Sequence, residues 1–108
     1  MLIIIELPGG TVNLREPGAF DRFSVEVTGE GSDEELAAVV EESGLGRLHT
    51  DGSHVVVAPD GLRTLAGGAV TAEWEAGFEG MCAYAAGKGW MEADGGILAH
   101  IERTGGAG

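Results

Sequence analysis

Three histidines, His49, His54 and His100, are the residues of this chain best suited to chemistry. A neutral imidazole binds divalent transition metals and exchanges protons near neutral pH. His49 and His54 flank Asp51-Gly52, a pair that suits a two-residue hairpin turn because both types tolerate left-handed backbone. That register sets Thr50 opposite Ser53 and His49 opposite His54, with Leu48, Val55 and Val57 pointing the other way, toward a core. His100 belongs to a second alternating stretch, in which Ile97, Ala99 and Ile101 interleave with Leu98, His100 and Glu102. A third has Phe23, Val25 and Val27 interleaving with Ser24 and Glu26. If the apolar members of all three face one layer, the opposite sheet face carries Glu26, Arg47, His49, His54, Val56, Leu98, His100 and Glu102.

The candidates for acid/base catalysis are therefore His49, His54 and His100, assisted by Glu26 or Glu102. If a metal is held, His49 and His54 are its ligands. Arg47, Glu73 and Trp90 are candidate binding residues: Arg47 shares the polar face, Glu73 lies beside an apolar helix stripe, and Trp90 sits in a turn where it can line a pocket or an interface. The ordinary alternative for the histidines is a solvent-facing position on a sheet. Cys82 lies on a mostly apolar segment with no base nearby and reads as a packing residue. The pairs Gly9-Gly10, Gly67-Gly68 and Gly95-Gly96 read as turns, because none precedes the basic or hydroxyl residue that a phosphate-cradling loop needs. No organic cofactor is expected.

These residues must be positioned by regular elements. Leu2–Leu7 is a continuous apolar run ending at Pro8-Gly9-Gly10 and reads as a strand, with Thr11 to Leu14 as a short return. Ser32 with Glu35 forms a capping box ahead of Leu36, Val39 and Val40, which have helical spacing, and Gly44 ends that helix. Leu62 and Leu65 mark a short helical turn that stops at Gly67-Gly68. The longest element is a helix capped by Thr71 and ended by Gly87 and Gly89. Its bulky stripe, Val70, Trp74, Gly77, Phe78, Met81, Tyr84 and Ala85, is expected to face the core. A second stripe of small residues, Ala72, Ala76, Gly80, Ala83 and Gly87, would let another helix approach closely.

From about residue 22 the order is strand, helix, strand, strand, helix, strand. An α+β fold follows, with the ferredoxin-like two-layer sandwich (βαββαβ) as the expected arrangement, a roll or another α+β sheet as the main alternative, and an additional N-terminal strand at the sheet edge or paired with another chain. In the ferredoxin-like strand order His100 would not neighbour the hairpin that carries His49 and His54. A single domain over 1–104 and a flexible tail at 105–108 are expected.

Charge narrows the function classes. Eighteen acids against six bases give a formal net charge of −12, and Lys88 is the only lysine. Such a surface repels phosphate backbones and anionic membranes, which argues against nucleic-acid and membrane binding and suits a basic protein partner. The opening MLIIIEL lacks both the basic start and the length of a signal peptide, and a single cysteine cannot form an internal disulfide, so the cytoplasm is the expected location. The first functional expectation is a small acidic binding or accessory protein, homodimeric, acting through protein–protein contacts. The second is a cofactor-independent enzyme of isomerase, cyclase or oxygenase type using the histidines. The third is a metal- or ligand-sensing module.

Overall fold

The computed structural model describes residues 1–104, so the expected tail at 105–108 lies outside the described residues. The elements are β1 (Leu2–Leu7), β2 (Thr11–Arg15), β3 (Ser24–Gly29), α1 (Asp33–Glu42), β4 (Gly46–Leu48), β5 (His54–Val57), α2 (Pro59–Ala66), a 3-10 turn (Gly67–Ala69), α3 (Ala72–Gly87) and β6 (Ile97–Thr104). The fold is α+β, with a mixed six-stranded sheet in the order β2-β1-β3-β6-β5-β4.

The element order from β3 onward is the expected one, but the strand order is not that of a ferredoxin-like sandwich. β6 lies between β3 and β5, parallel to β3 and antiparallel to β5. The cause is the N-terminal strand. β1 is neither an edge strand nor left over for another chain; it pairs in parallel with β3 from Leu2↔Ser24 to Leu7↔Gly29. A strand has two hydrogen-bonding edges, and those of β3 are taken by β1 and β6. The β4–β5 hairpin is left with the outer edge of β6.

Side-chain chemistry agrees with these places. Ile3 and Ile5 are fully buried on one face of β1 and Ile4 is nearly so on the other, the continuous apolar pattern of an interior strand. β2, with Thr11, Asn13 and Arg15 exposed in alternation, is the polar edge that caps the sheet on that side.

All three helices cover one face. Leu36 and Val40 of α1, Leu62 of α2, and Trp74, Phe78, Met81 and Ala85 of α3 form one core with Ile3, Ile5, Val25, Val27, Val55, Val57, Ile97, Ala99 and Ile101. Each large side chain of this set contributes roughly 1.5–3 kcal/mol by leaving water. Ser32 and Thr71 are the N-caps expected: Ser32 accepts from the Glu35 N–H at 3.1 Å, one half of the capping box, and Thr71 from the Trp74 N–H at 3.1 Å.

α3 departs from expectation at two positions. Tyr84, assigned to the bulky core stripe, is 61% exposed. The interior glycines also differ from each other. A Cβ on Gly77 would collide with the Phe20 ring, so this glycine admits the 16–23 link, which also receives the Trp74 indole N–H on the Pro17 carbonyl at 2.9 Å. A Cβ on Gly80 meets nothing within 4 Å. Gly77→Ala is therefore expected to lose stability by about 1–2 kcal/mol, because the collision outweighs the helical gain of about 1 kcal/mol. Gly80→Ala is expected to gain up to about 1 kcal/mol. Urea unfolding of both variants checks the pair, and equal effects of the same sign would refute the packing account.

Candidate functional site

Backbone pairing brings the three histidines together on the face that the helices leave open. His54 and His100 are direct cross-strand partners, and the His49 N–H donates to the His54 carbonyl at 2.8 Å. The rings follow as a row: His49 and His54 have centroids 6.3 Å apart, and His54 and His100 5.5 Å, both edge to face. The open-face assignment of Glu26, Arg47, His54, Val56, Leu98, His100 and Glu102 follows from the same registers. The expectation that His100 stands apart from the hairpin is overturned by the position of β6.

The hairpin turn differs from a two-residue Asp-Gly turn. The Gly52 N–H donates to the His49 carbonyl at 3.0 Å, which makes Thr50 and Asp51 the central residues and leaves Gly52, with φ +72°, as the following position. Ser53 does not face Thr50; its carbonyl accepts from Ile101 of β6 at 2.9 Å. The loop is thus tied to the neighbouring strand at Ser53.

Asp51 is the residue that sequence reasoning missed. Its Oδ1 accepts the backbone N–H groups of Ser53 at 2.8 Å and His54 at 3.2 Å, and its Oδ2 lies 2.8 Å from His54 Nδ1. The Ser53 backbone N–H, and after it the His54 side chain, hold the Asp51 carboxyl at about 2, below its ordinary 3.8. An ionised carboxylate only accepts, so His54 Nδ1 carries the hydrogen, and in the neutral ring Nε2 presents a lone pair. His49 meets the same aspartate differently. Its Nδ1 lies 3.1 Å from the Asp51 backbone N and 3.2 Å from Asp51 Oδ1, and its Nε2 lies 3.5 Å from Glu92 Oε1, so both ring nitrogens face a carboxylate. An aspartate capping the amide two residues on is a recognised turn pattern, and that was the available signal for Asp51.

The row opens onto a cleft of ≈ 230 Å³ lined by Phe23, His54, Trp90, Leu98 and His100. Leu98 and His100 lie along β6, His54 stands on the β5 side, and Phe23 precedes β3. Trp90 is placed by two backbone bonds: its N–H donates to Ala85 at the end of α3, and its carbonyl accepts from Leu98, both at 2.8 Å. Phe23, expected in the core, is half-buried and belongs to both.

The remaining predicted residues separate from the cleft. Glu26 and Glu102 are cross-strand partners on the same face, one step of two residues along from Ser24 and His100, and do not line it. Arg47 is used within the fold, with Nη1 2.7 Å from Asp94 Oδ2 and Nη2 3.8 Å from Glu92 Oε1. This pairing fastens the turn before β6 across Val56, which is 1% exposed on the otherwise open face, and a Cβ on Gly96 would collide with it. The Gly96 N–H, and then Arg47, lower the Asp94 carboxyl. Glu73 is exposed in the first turn of α3. Cys82 is half-buried, and burial pushes its thiol up, as suits a packing residue. Among the described residues no group of three His, Cys, Asp or Glu is arranged to hold a metal ion, so His49 and His54 gain no third ligand.

No family model, curated protein or solved structure matches this chain. No described helix is long and apolar enough to cross a membrane.

The Asp51 carboxyl is expected to titrate near 2 by carbon-13 NMR. Because its folded value is depressed, its stabilisation of the hairpin is complete above the ordinary 3.8 and is lost as the pH falls through about 2. In Asp51→Asn, nitrogen-15 spectra should show the His54 ring no longer held as the Nδ1–H tautomer. A titration near 3.8, or an unchanged tautomer, would contradict the assignment.

Proposed function

We propose that this chain is a small acidic binding protein of the cytoplasm, homodimeric, that acts through protein contacts made by the exposed side of α3. The observation that carries the reading is the Tyr84–Trp90 pair, 61% and 47% exposed and edge to face at 5.9 Å. Aromatic residues are enriched and charges depleted at the centre of protein interfaces, while a folded chain rarely leaves large aromatics in water without use. The pair stands where α3 loses its charge. The first half of the helix carries Glu73, Glu75 and Glu79, and the second half, from Gly80 to Gly87, carries none.

The small residues Ala72, Ala76, Gly80, Ala83 and Gly87 are all exposed, beside a shallow groove of ≈ 600 Å³ lined by Phe20, Asp21, Gly77, Gly80, Met81 and Tyr84. A second α3, running antiparallel, fits this face: its glutamates would lie along the uncharged half and near Lys88 of the first. The helix dipoles then also oppose each other favourably. Copies that each carry −12 repel one another, so contact is possible only on such an uncharged strip. The rest of the acidic surface suits a basic protein partner.

A cofactor-independent enzyme of isomerase, cyclase or oxygenase type is the second reading. It is favoured by the Asp51–His54 pair, which holds one imidazole in a fixed tautomer with Nε2 available as a base, as proton transfer requires.

Light scattering during size-exclusion chromatography is expected to give a dimer. The dimer should tighten as salt rises from about 0.01 to 0.15 M, because the Debye length falls from about 30 to 8 Å and the net repulsion is screened. Ala83→Glu should give a monomer, and Tyr84→Ser with Trp90→Ser should weaken association at least tenfold. A monomer at every salt concentration would refute the homodimer, and a dimer indifferent to these substitutions would move the contact elsewhere.

A further inference from the structure

We infer that the cleft between His54, His100, Leu98, Phe23 and Trp90 is a binding site for a small organic cation, a primary ammonium or guanidinium group on a short carbon stem. Three independent features select this class. The first is the hydrogen-bond polarity of the site. His54 spends its Nδ1–H on Asp51, which in the neutral ring leaves Nε2 as an acceptor, so a partner for this imidazole brings an N–H or O–H donor.

The second feature is the wall. Phe23, Trp90 and Leu98 line the cleft with carbon, and an aromatic face attracts a cation through its quadrupole, most strongly for tryptophan. The apolar surface at the same time covers a carbon stem. The cleft, at ≈ 230 Å³, lies below the size of pockets that take drug-sized ligands, which restricts the occupant to a small molecule.

The third feature is the field. Asp51 lies behind His54, and Glu26 and Glu102 lie two residues further along β3 and β6, a separation of roughly 6–7 Å along a strand, while Glu92, beside His49, is offset by Arg47. Within a chain of net charge −12, this setting disfavours a carboxylate or phosphate ligand and favours a positive one. A bare metal ion is the poorer fit, since no group of three ligating side chains is gathered among the described residues and the walls offer carbon.

The inference goes beyond the contact reading and shares only Trp90 with it, so it is tested both in the unmodified chain and in Ala83→Glu, where the proposed dimer is removed. The probes are n-butylammonium and n-butylguanidinium, with butyrate and n-butanol as anionic and neutral counterparts. They are followed by NMR at the Trp90 indole N–H and the His54 and His100 ring protons. Saturable shifts of these signals with both cations, and none with butyrate or butanol, are expected. Trp90→Ala should weaken cation binding about three- to tenfold while Trp90→Phe keeps most of it, and His54→Phe, which retains an aromatic wall but no acceptor, should also weaken it. Three results would overturn the inference: butyrate binding as well as the cations, shifts spread over the acidic surface without saturation at Trp90, or affinity unchanged in both Trp90→Ala and His54→Phe. Binding only when the cationic side chain is part of a peptide would likewise reject the small-molecule site.

Discussion

Strand β3 has two edges and three strands that compete for them. β1 takes one because Leu2–Leu7 is apolar on both faces and needs an interior position, and β6 takes the other. Everything on the open face depends on that allocation. With β3 filled, the hairpin docks on the free edge of β6, which makes His54 and His100 neighbours and gives the Ser53 carbonyl a partner in Ile101. The same allocation sends β2, with its exposed polar alternation, to the rim, where an unpaired edge is safest when it is short and charged.

The two faces of the sheet are held by different physics. On the helix side, burial dominates: α3 presses Trp74, Phe78 and Met81 onto the strands, and the 16–23 link closes over them through Phe20 and the Trp74–Pro17 hydrogen bond. On the open side none of the described helices packs, and directional contacts dominate. Arg47 fastens the turn before β6, that turn shields Val56, and its first residue, Trp90, becomes a wall of the histidine cleft. Arg47 therefore acts on the site through the turn rather than by touching a ligand. Its ion pairs are half-exposed and individually weak, so their value is positional.

Trp90 links the two surfaces proposed to act. It lines the cleft with Phe23 and Leu98, and it also meets Tyr84 of α3 edge to face. An occupant of the cleft and a partner on α3 would both be felt by this ring, whose backbone is fixed by Ala85 on one side and Leu98 on the other.

The sequence by itself determined what is local. The caps at Ser32 and Thr71, the end of α3 near Gly87, the alternation that sorts Val25, Val55 and Ala99 from Glu26, His54 and His100, and the pairing of His49 with His54 all depend on residues within a few positions of one another. Periods of two and 3.6 report which face a side chain joins, so the open-face set was legible. They do not report which strand lies beside which. The place of β6, and with it the meeting of His100 with His54, was decided by competition among β1, β5 and β6 for edges, a contest between segments far apart in the chain. Asp51 fell between the two cases: its turn was visible, but its hold on His54 needed the loop to be tied to Ile101 of another strand. Tyr84 belonged to the long-range class, because a helix stripe gives an angular position, and only the neighbours that arrive decide whether its margin lies in the core or at the rim.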